Sequence, residues 1–216
     1  MILYYHPLSS YCWKVLIPLY ENATPFTPRL LSQEDAEAAA EWMALWPIGR
    51  FPVLRDERRG QTVAEASIII EYLDRHAPGP FRAIPADADA ALEARLMDRL
   101  FDNYVMGPMQ AIVADRLRPE AARDPHGVAQ SRQMLTKAYA LLEERMAGRT
   151  WAAGEDVSLA DCAAAPSLFY ADKVEPMRRD FPTLAAYLDR LEARAGFARV
   201  LAEKEPYWSM FPYANG

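Results

Sequence analysis

Cysteine is scarce in this chain: 216 residues hold only Cys12 and Cys162. Two thiols so far apart in sequence build no disulfide framework, and a reducing compartment suits them better. Histidine is scarcer for its purposes still. His6, His76 and His126 stand at no metal-ligand spacing, so no metal site is expected. No run of Lys or Arg appears, and the net charge is −6; nothing here invites a nucleic acid backbone. No apolar stretch approaches the roughly 18 residues that span a bilayer. The first residues lack the basic segment and small-residue cleavage site of a secretion signal. No glycine-rich phosphate loop is present. What remains is the composition of an ordinary globular protein, 51% hydrophobic and 25% charged, expected to be soluble and cytoplasmic.

Proline and glycine cluster once, in HAPGPFRAIPAD (76–87), where helical periodicity stops. This predicts two units, 1–77 and 87–216, joined by a linker over 78–86. In the first, Ile2–Tyr5 reads as a strand and Tyr11–Glu21 as a helix, with Cys12, Val15, Leu16 and Leu19 on one face. Pro18 predicts a kink or early end there. Phe26–Leu31 is a strand that Pro28 marks as an edge, and Glu34–Leu45 is an Ala-rich helix. Two strands flank the turn DERRG, and Ala66–His76 is again helical. The order is β-α-β-α-β-β-α. The second unit is all helix. A long one spans about Asp87–Leu117, with Leu92, Leu96, Leu100 and Tyr104 at i, i+4 spacing and a bend at Gly107-Pro108. Another follows over Pro125–Met146. Ser158-Leu159-Ala160-Asp161 is a capping box, opening a helix that Pro166 should bend. Phe181-Pro182-Thr183 opens the next, Gly196 ends it, and Phe197–Glu205 is the last.

Four stretches carry a resemblance: HPLSSYCWKV, PIGRFPVL, VAEASIIIEYLD and SLADCAAAP. In this order and spacing, with the Pro-rich linker between the third and fourth, they resemble the cytosolic glutathione S-transferases over essentially the whole chain. The resemblance implies a thioredoxin-like α/β N-terminal domain, an all-α C-terminal domain, a homodimer, and glutathione as cosubstrate. It also implies a serine-type active-site turn, with Ser9 as the catalytic residue and Ser10 as the fallback. Read without the family, Ser9 is a helix N-cap; the two roles are compatible. Cys12 holds the second position of a C-x-x-C pattern whose first cysteine is replaced. It falls on the apolar face, so a dithiol oxidoreductase is disfavoured. Tyr4, Tyr5 and Tyr11 are structural or pocket-lining.

The family pattern makes Phe51-Pro52 a cis pair whose Phe51 backbone meets the cysteinyl part of glutathione. It assigns Glu65 to the γ-glutamyl amine. The serine that usually follows is Ala66 here, so the Ala66 N–H and Ser67 are the candidates for the γ-glutamyl carboxylate. Arg50 is the better candidate for the glycyl carboxylate; Lys14 reads more readily as a solvated surface charge. The electrophile pocket should lie between the domains, lined by Tyr104, Met109, Trp208 and Phe211. Three functions follow. The first is a glutathione transferase acting on a small electrophile. The second is a glutathione-dependent cis-trans isomerase of the maleylacetoacetate type, whose Ser-Ser-Cys turn SSYC matches only with its cysteine displaced. The third is a non-catalytic interaction protein on the same scaffold.

Overall fold

The computed structural model describes residues 1–32 and 34–214. β1 (Ile2–Tyr5), α1 (Ser10–Glu21), β2 (Thr27–Leu30), α2 (Ala36–Leu45), β3 (Val53–Asp56), β4 (Gln61–Ala64) and α3 (Ala66–His76) form the α/β half. The four strands lie in the order β2-β1-β3-β4, with β1/β2 parallel and the other pairs antiparallel. Pro28, which cannot donate to a ladder, does sit on the edge strand. Central β1 is covered on both faces: Leu3 joins the main core, while Tyr4 packs with Leu31, Ala38 and Val53 on the α2 side. Gly60, at φ +65°, closes the β3–β4 hairpin. Pro18 does not end α1, which runs on to Glu21.

The helical half comprises α4 (Ala88–Leu100), α5 (Gly107–Leu117), α6 (Pro125–Met146), α7 (Leu159–Val174), α8 (Pro182–Glu192) and α9 (Ala195–Lys204). One long helix was expected over 87–117. Instead a π-helical turn, Phe101–Met106, separates α4 from α5. Pro108 is the cause: it has no N–H to offer the preceding turn, and its ring crowds the carbonyl there. The chain widens to i→i+5 bonding before it, with Gly107 N–H donating to Asp102 O. The Leu92, Leu96, Tyr104 stripe does not face the core. Leu92 is 66% exposed; the buried face is Ala91, Ala94, Met97 and Phe101, whose small residues let α4 approach Ala-rich α7.

Gly196 does not end a helix. It lies inside α9, where a Cβ would stand 2.9 Å from the Ile17 carbonyl oxygen and 2.8 Å from Glu21 Cγ. Its missing side chain is what lets α9 rest on α1, and its N–H donates to Glu21 Oε1. α1 therefore packs against α7 and α9 as well as α3. Trp13 stacks on Tyr170 with centroids 4.6 Å apart, and Phe169 and Phe197 surround it. One continuous core runs through both halves. The connecting segment is held by side chains. Asn22 both donates to and accepts from the Phe81 backbone, Asp74 accepts the Ala83 N–H, and Ala83 O accepts from Leu159 N. Among the described residues, no helix is long and apolar enough to cross a membrane.

Lys14, expected on the surface, is 0% exposed. Its Nζ lies 2.5 Å from Asp98 Oδ1 and 2.7 Å from Asp102 Oδ2, and it donates to Ser67 Oγ at 2.9 Å. Arg99 adds a second cation, donating to both carboxylates and to Ser67. The group is electrically balanced, two cations against two carboxylates, which is the condition for burying such charges at all. It ties α1 and α3 to α4 and the π turn.

At α7 the capping box forms as expected, with Ser158 as N-cap. Asp161 does more than cap. It accepts from Ala152 N, Ser158 N, Ser158 Oγ and the Tyr187 hydroxyl, all in the interior. Burial pushes its carboxyl upward against these donors, which pull it down.

Two outcomes are expected in urea titrations. Asp161→Ala strands those donors and should cost about 3–5 kcal/mol. Lys14→Met leaves two buried carboxylates with only Arg99 and should also cost about 3–5 kcal/mol at neutral pH. Burial already raises the Asp102 carboxyl, and Lys14 is the charge that most opposes the rise. Without Lys14 the folded state binds the Asp102 proton more tightly than the unfolded chain does. The Lys14→Met deficit should therefore shrink as pH falls toward about 4.5. A deficit constant between pH 4.5 and 7 would contradict this account, as would no deficit.

Candidate functional site

Between the two halves lies a cavity of about 750 Å³, the size of a small-molecule site. Its α/β wall carries Ser9, Tyr11, Trp46, Gly49, Arg50, Phe51, Pro52, Glu65, Ala66 and Ser67. These come from three connections at one end of the sheet: β1–α1, α2–β3 and β4–α3.

The first connection is the SSYC turn. Ser9 is the N-cap of α1, and its Oγ accepts from Cys12 N at 3.3 Å. That bond uses a lone pair, so the hydroxyl hydrogen has no acceptor among the described residues. The turn is gripped from both halves: Tyr170 of α7 donates its hydroxyl to Leu8 O, and Trp13 of α1 donates Nε1 to Pro7 O. Ser10 is elsewhere. It is buried, its Oγ accepts from Gln110 Nε2, and it does not line the cavity. Cys12 is fully buried, and burial lifts its thiol to about 12, so it holds no thiolate at neutral pH. Tyr11 borders the cavity, its phenol raised to about 12, first by burial and then by Asp102.

The second connection contains the cis peptide Phe51-Pro52. Trp42 Nε1 donates to Arg50 O, and the Phe51 ring lies between Trp42 and His6, with centroids 5.7 and 6.0 Å away. His6 Nδ1 accepts from Leu8 N, and burial lowers its pKa, so the ring is a neutral spacer at pH 7. Trp42, unassigned from sequence, thus helps set the loop that presents Phe51.

The third connection places Glu65 at φ +68°. A non-glycine residue there costs of order 1–3 kcal/mol and is held by its surroundings. Glu65 stands at the N-cap of α3 without capping it by its side chain. The first N–H groups of α3, at Ala66 and Ser67, so face the cavity without a side-chain cap. The Ser67 hydroxyl is occupied: it donates to Asp98 Oδ2 and accepts from Lys14 and Arg99.

The opposite wall is Arg95, Asp98, Arg99, Asp102, Asn103, Gln110 and Leu159. None of the four residues expected there takes part. Tyr104 is 46% exposed on the outer face of the π turn, and Met109 is buried in the core. Trp208 and Phe211 pack on Tyr170, forming a lid over the aromatic cluster around Trp13. Aromatic and Met side chains mark a pocket and a core alike, and here they mark the core. The signal that was available is Lys14 itself, the one charge in SYCWKVLIPLY. A buried cation needs carboxylates, and Asp98 and Asp102 stand one turn apart on a single helix face.

Comparison with known proteins agrees with the two-part fold. A model of the glutathione S-transferase N-terminal domain matches residues 3–81, and one of the C-terminal domain matches 103–195. A glutathione S-transferase from Methylobacterium radiotolerans, solved with glutathione sulfonate, superposes with a TM-score of 0.80 at 29% identity, covering 92% of this chain and 93% of that one. FtsZ-localized protein A of Caulobacter vibrioides is 29% identical over 211 residues, 94% of this chain and 92% of that protein. A probable maleylacetoacetate isomerase of Vibrio cholerae is 29% identical over 215 residues, 95% and 97% of the two chains. With both domain models matched in order and the architecture shared along the chain, this protein belongs to the glutathione S-transferase family.

Proposed function

We propose that the cavity binds glutathione, that Ser9 stabilises its thiolate, and that the thiolate attacks a small electrophile. The observation that carries this reading is convergence. Ser9, Phe51-Pro52 and Glu65, dispersed over 57 positions of sequence, face one cavity. Glu65 would receive the γ-glutamyl amine, the uncapped N–H of Ala66 the γ-glutamyl carboxylate, the Phe51 backbone the cysteinyl unit, and Arg50 the glycyl carboxylate. The relative from Methylobacterium radiotolerans, which holds a glutathione derivative, supports the ligand.

A thiol of pKa near 8.5 is about 3% ionised at pH 7. The free Ser9 hydroxyl hydrogen suits a donor to S⁻, a charge-assisted bond of roughly 1.5–3 kcal/mol. The N-terminal end of α1 adds a favourable dipole. At about 1.4 kcal/mol per pKa unit, the hydroxyl alone would lower the thiol by one to two units. Ser9 is already fixed by its bond from Cys12 N, so little ordering is needed when the sulfur arrives. A glutathione-dependent isomerase would need the same thiolate, and named isomerases are among the relatives. The buried Cys12 thiol is excluded from either chemistry.

The similarity to FtsZ-localized protein A favours one second reading, an interaction protein on this scaffold. The ultraviolet absorbance of bound glutathione thiolate across pH separates the two. The transferase reading expects a midpoint one to two units below that of free glutathione, returning upward in Ser9→Ala, with kcat/KM lower by about 10–100-fold. Absent or unshifted glutathione would reject the mechanism and leave the interaction reading.

We also propose a homodimer, in a reducing cytoplasmic setting suited to two buried free thiols. Leu92, Leu96 and Tyr104 expose an apolar stripe along α4 and the π turn, with exposed Ile68 on neighbouring α3. Sedimentation equilibrium should find two copies, and Leu92→Glu should shift the population toward one. A monomeric wild type would refute it.

A further inference from the structure

The wall that faces the Ser9 turn across the cavity is polar, and most of its charge is already spent. Arg95 is held by Glu71 through two bonds of 2.9 Å. Arg99 is held by Asp98 and Asp102. Neither leaves an unpaired cation to attract an anionic substrate. The uncommitted groups are of another kind. Asp102 lies at the cavity edge but offers nothing to it: Oδ2 takes both Lys14 and Arg99, and Oδ1, without a hydrogen-bond partner among the described residues, is closed to solvent. Beside it, Asn103 and Gln110 present exposed side-chain amides along the same wall; Gln110 Nε2 donates to buried Ser10 Oγ, which leaves its Oε1 as an acceptor without a donor among the described residues. Leu159 is the one aliphatic residue of that wall.

From this arrangement we infer that the electrophile taken by the cavity is a small, uncharged, polar molecule bearing an N–H or O–H donor, rather than an apolar aryl compound. The inference rests on the glutathione-site reading above. An apolar ring against this wall would cover two exposed amides without replacing their water, and each group so buried carries a penalty. A ligand donor pairs with Gln110 Oε1, and the Asn103 amide accepts from or donates to its remaining polar atoms. A site built in this way discriminates strongly against analogues that lack the donor.

A conjugated amide is a suitable probe class. The sulfur lone pair forms a C–S bond at the β-carbon, the π pair moves toward the carbonyl, and the α-carbon takes a proton from water. Nothing leaves, and no external oxidant or reductant is consumed.

The test compares N-methylacrylamide, which keeps an N–H, with N,N-dimethylacrylamide, which has none, and with chlorodinitrobenzene as an aryl probe without a donor. Each kcat/KM is divided by the rate constant for free glutathione at the same pH, which removes intrinsic reactivity. The N-methyl compound should show an acceleration at least about tenfold greater than either of the others. The ratio between the two amides should fall toward one in Gln110→Leu and Asn103→Leu, whereas a purely structural loss would lower both amides together. Equal or greater acceleration of the dimethyl or aryl probe, with bound glutathione still showing a lowered thiolate midpoint, overturns this inference and leaves the glutathione reading standing. An unlowered midpoint overturns both.

Discussion

Lys14 is the charge around which the cavity is assembled. It enters on α1, otherwise an apolar helix, and cannot stay buried without carboxylates. Asp98 and Asp102 supply them from the other half of the chain, and Arg99 restores neutrality. The four charged groups are therefore a constraint on assembly: α4 and the π turn must lie against α1 for them to pair. That placement also puts Ser67, at the start of α3, within reach of the cluster. The polar wall of the cavity is the solvent-facing side of the same arrangement.

The rest of the site hangs on this frame. The Ser9 turn is held by its own helix, through Cys12 N and Trp13 Nε1, and from the other half by Tyr170. The Phe51 loop is held by Trp42, and Glu65 is kept in a strained conformation by strand and helix on either side. Trp13, Trp42 and Tyr170 do not line the cavity. They fix the groups that do, which is how a short loop comes to have the positional accuracy of a strand or helix.

How much of this could be read in advance varied with the range of the interaction. Elements set by local pattern were legible: the strand at Ile2–Tyr5, the cap at Ser9, the capping box at Ser158, and the α6 boundaries all follow from neighbours within a few residues. The order of the elements and the family followed from four such stretches. What failed was non-local. Periodicity detected the helix containing Leu92 and Leu96, but not that Ala91 and Ala94 were the covered side, since a stripe at i, i+4 looks the same wet or dry. Gly196 resembled a helix stop because its reason for being glycine, the Ile17 carbonyl, lies 179 positions earlier. Lys14 looked like a surface charge because its partners lie 84 and 88 positions away. Pro108 announced a disturbance, but the π turn it provokes falls before it. The tail aromatics were misassigned because Trp13, the ring they cover through Tyr170, belongs to the other half.

The sharing of α1 between both halves has a consequence for how molecules come and go. Hinged enzymes open by parting two separately cored bodies about a slack connection. Here Trp13 is enclosed by rings from α7 and α9, Gly196 sits against the α1 backbone, and Asn22 clamps the connecting segment at Phe81. Parting the halves would expose that core and unpair Lys14, a cost comparable to unfolding. Traffic through the cavity must therefore pass by its mouth, over side chains such as Arg50 and Asn103 that line it from the accessible side.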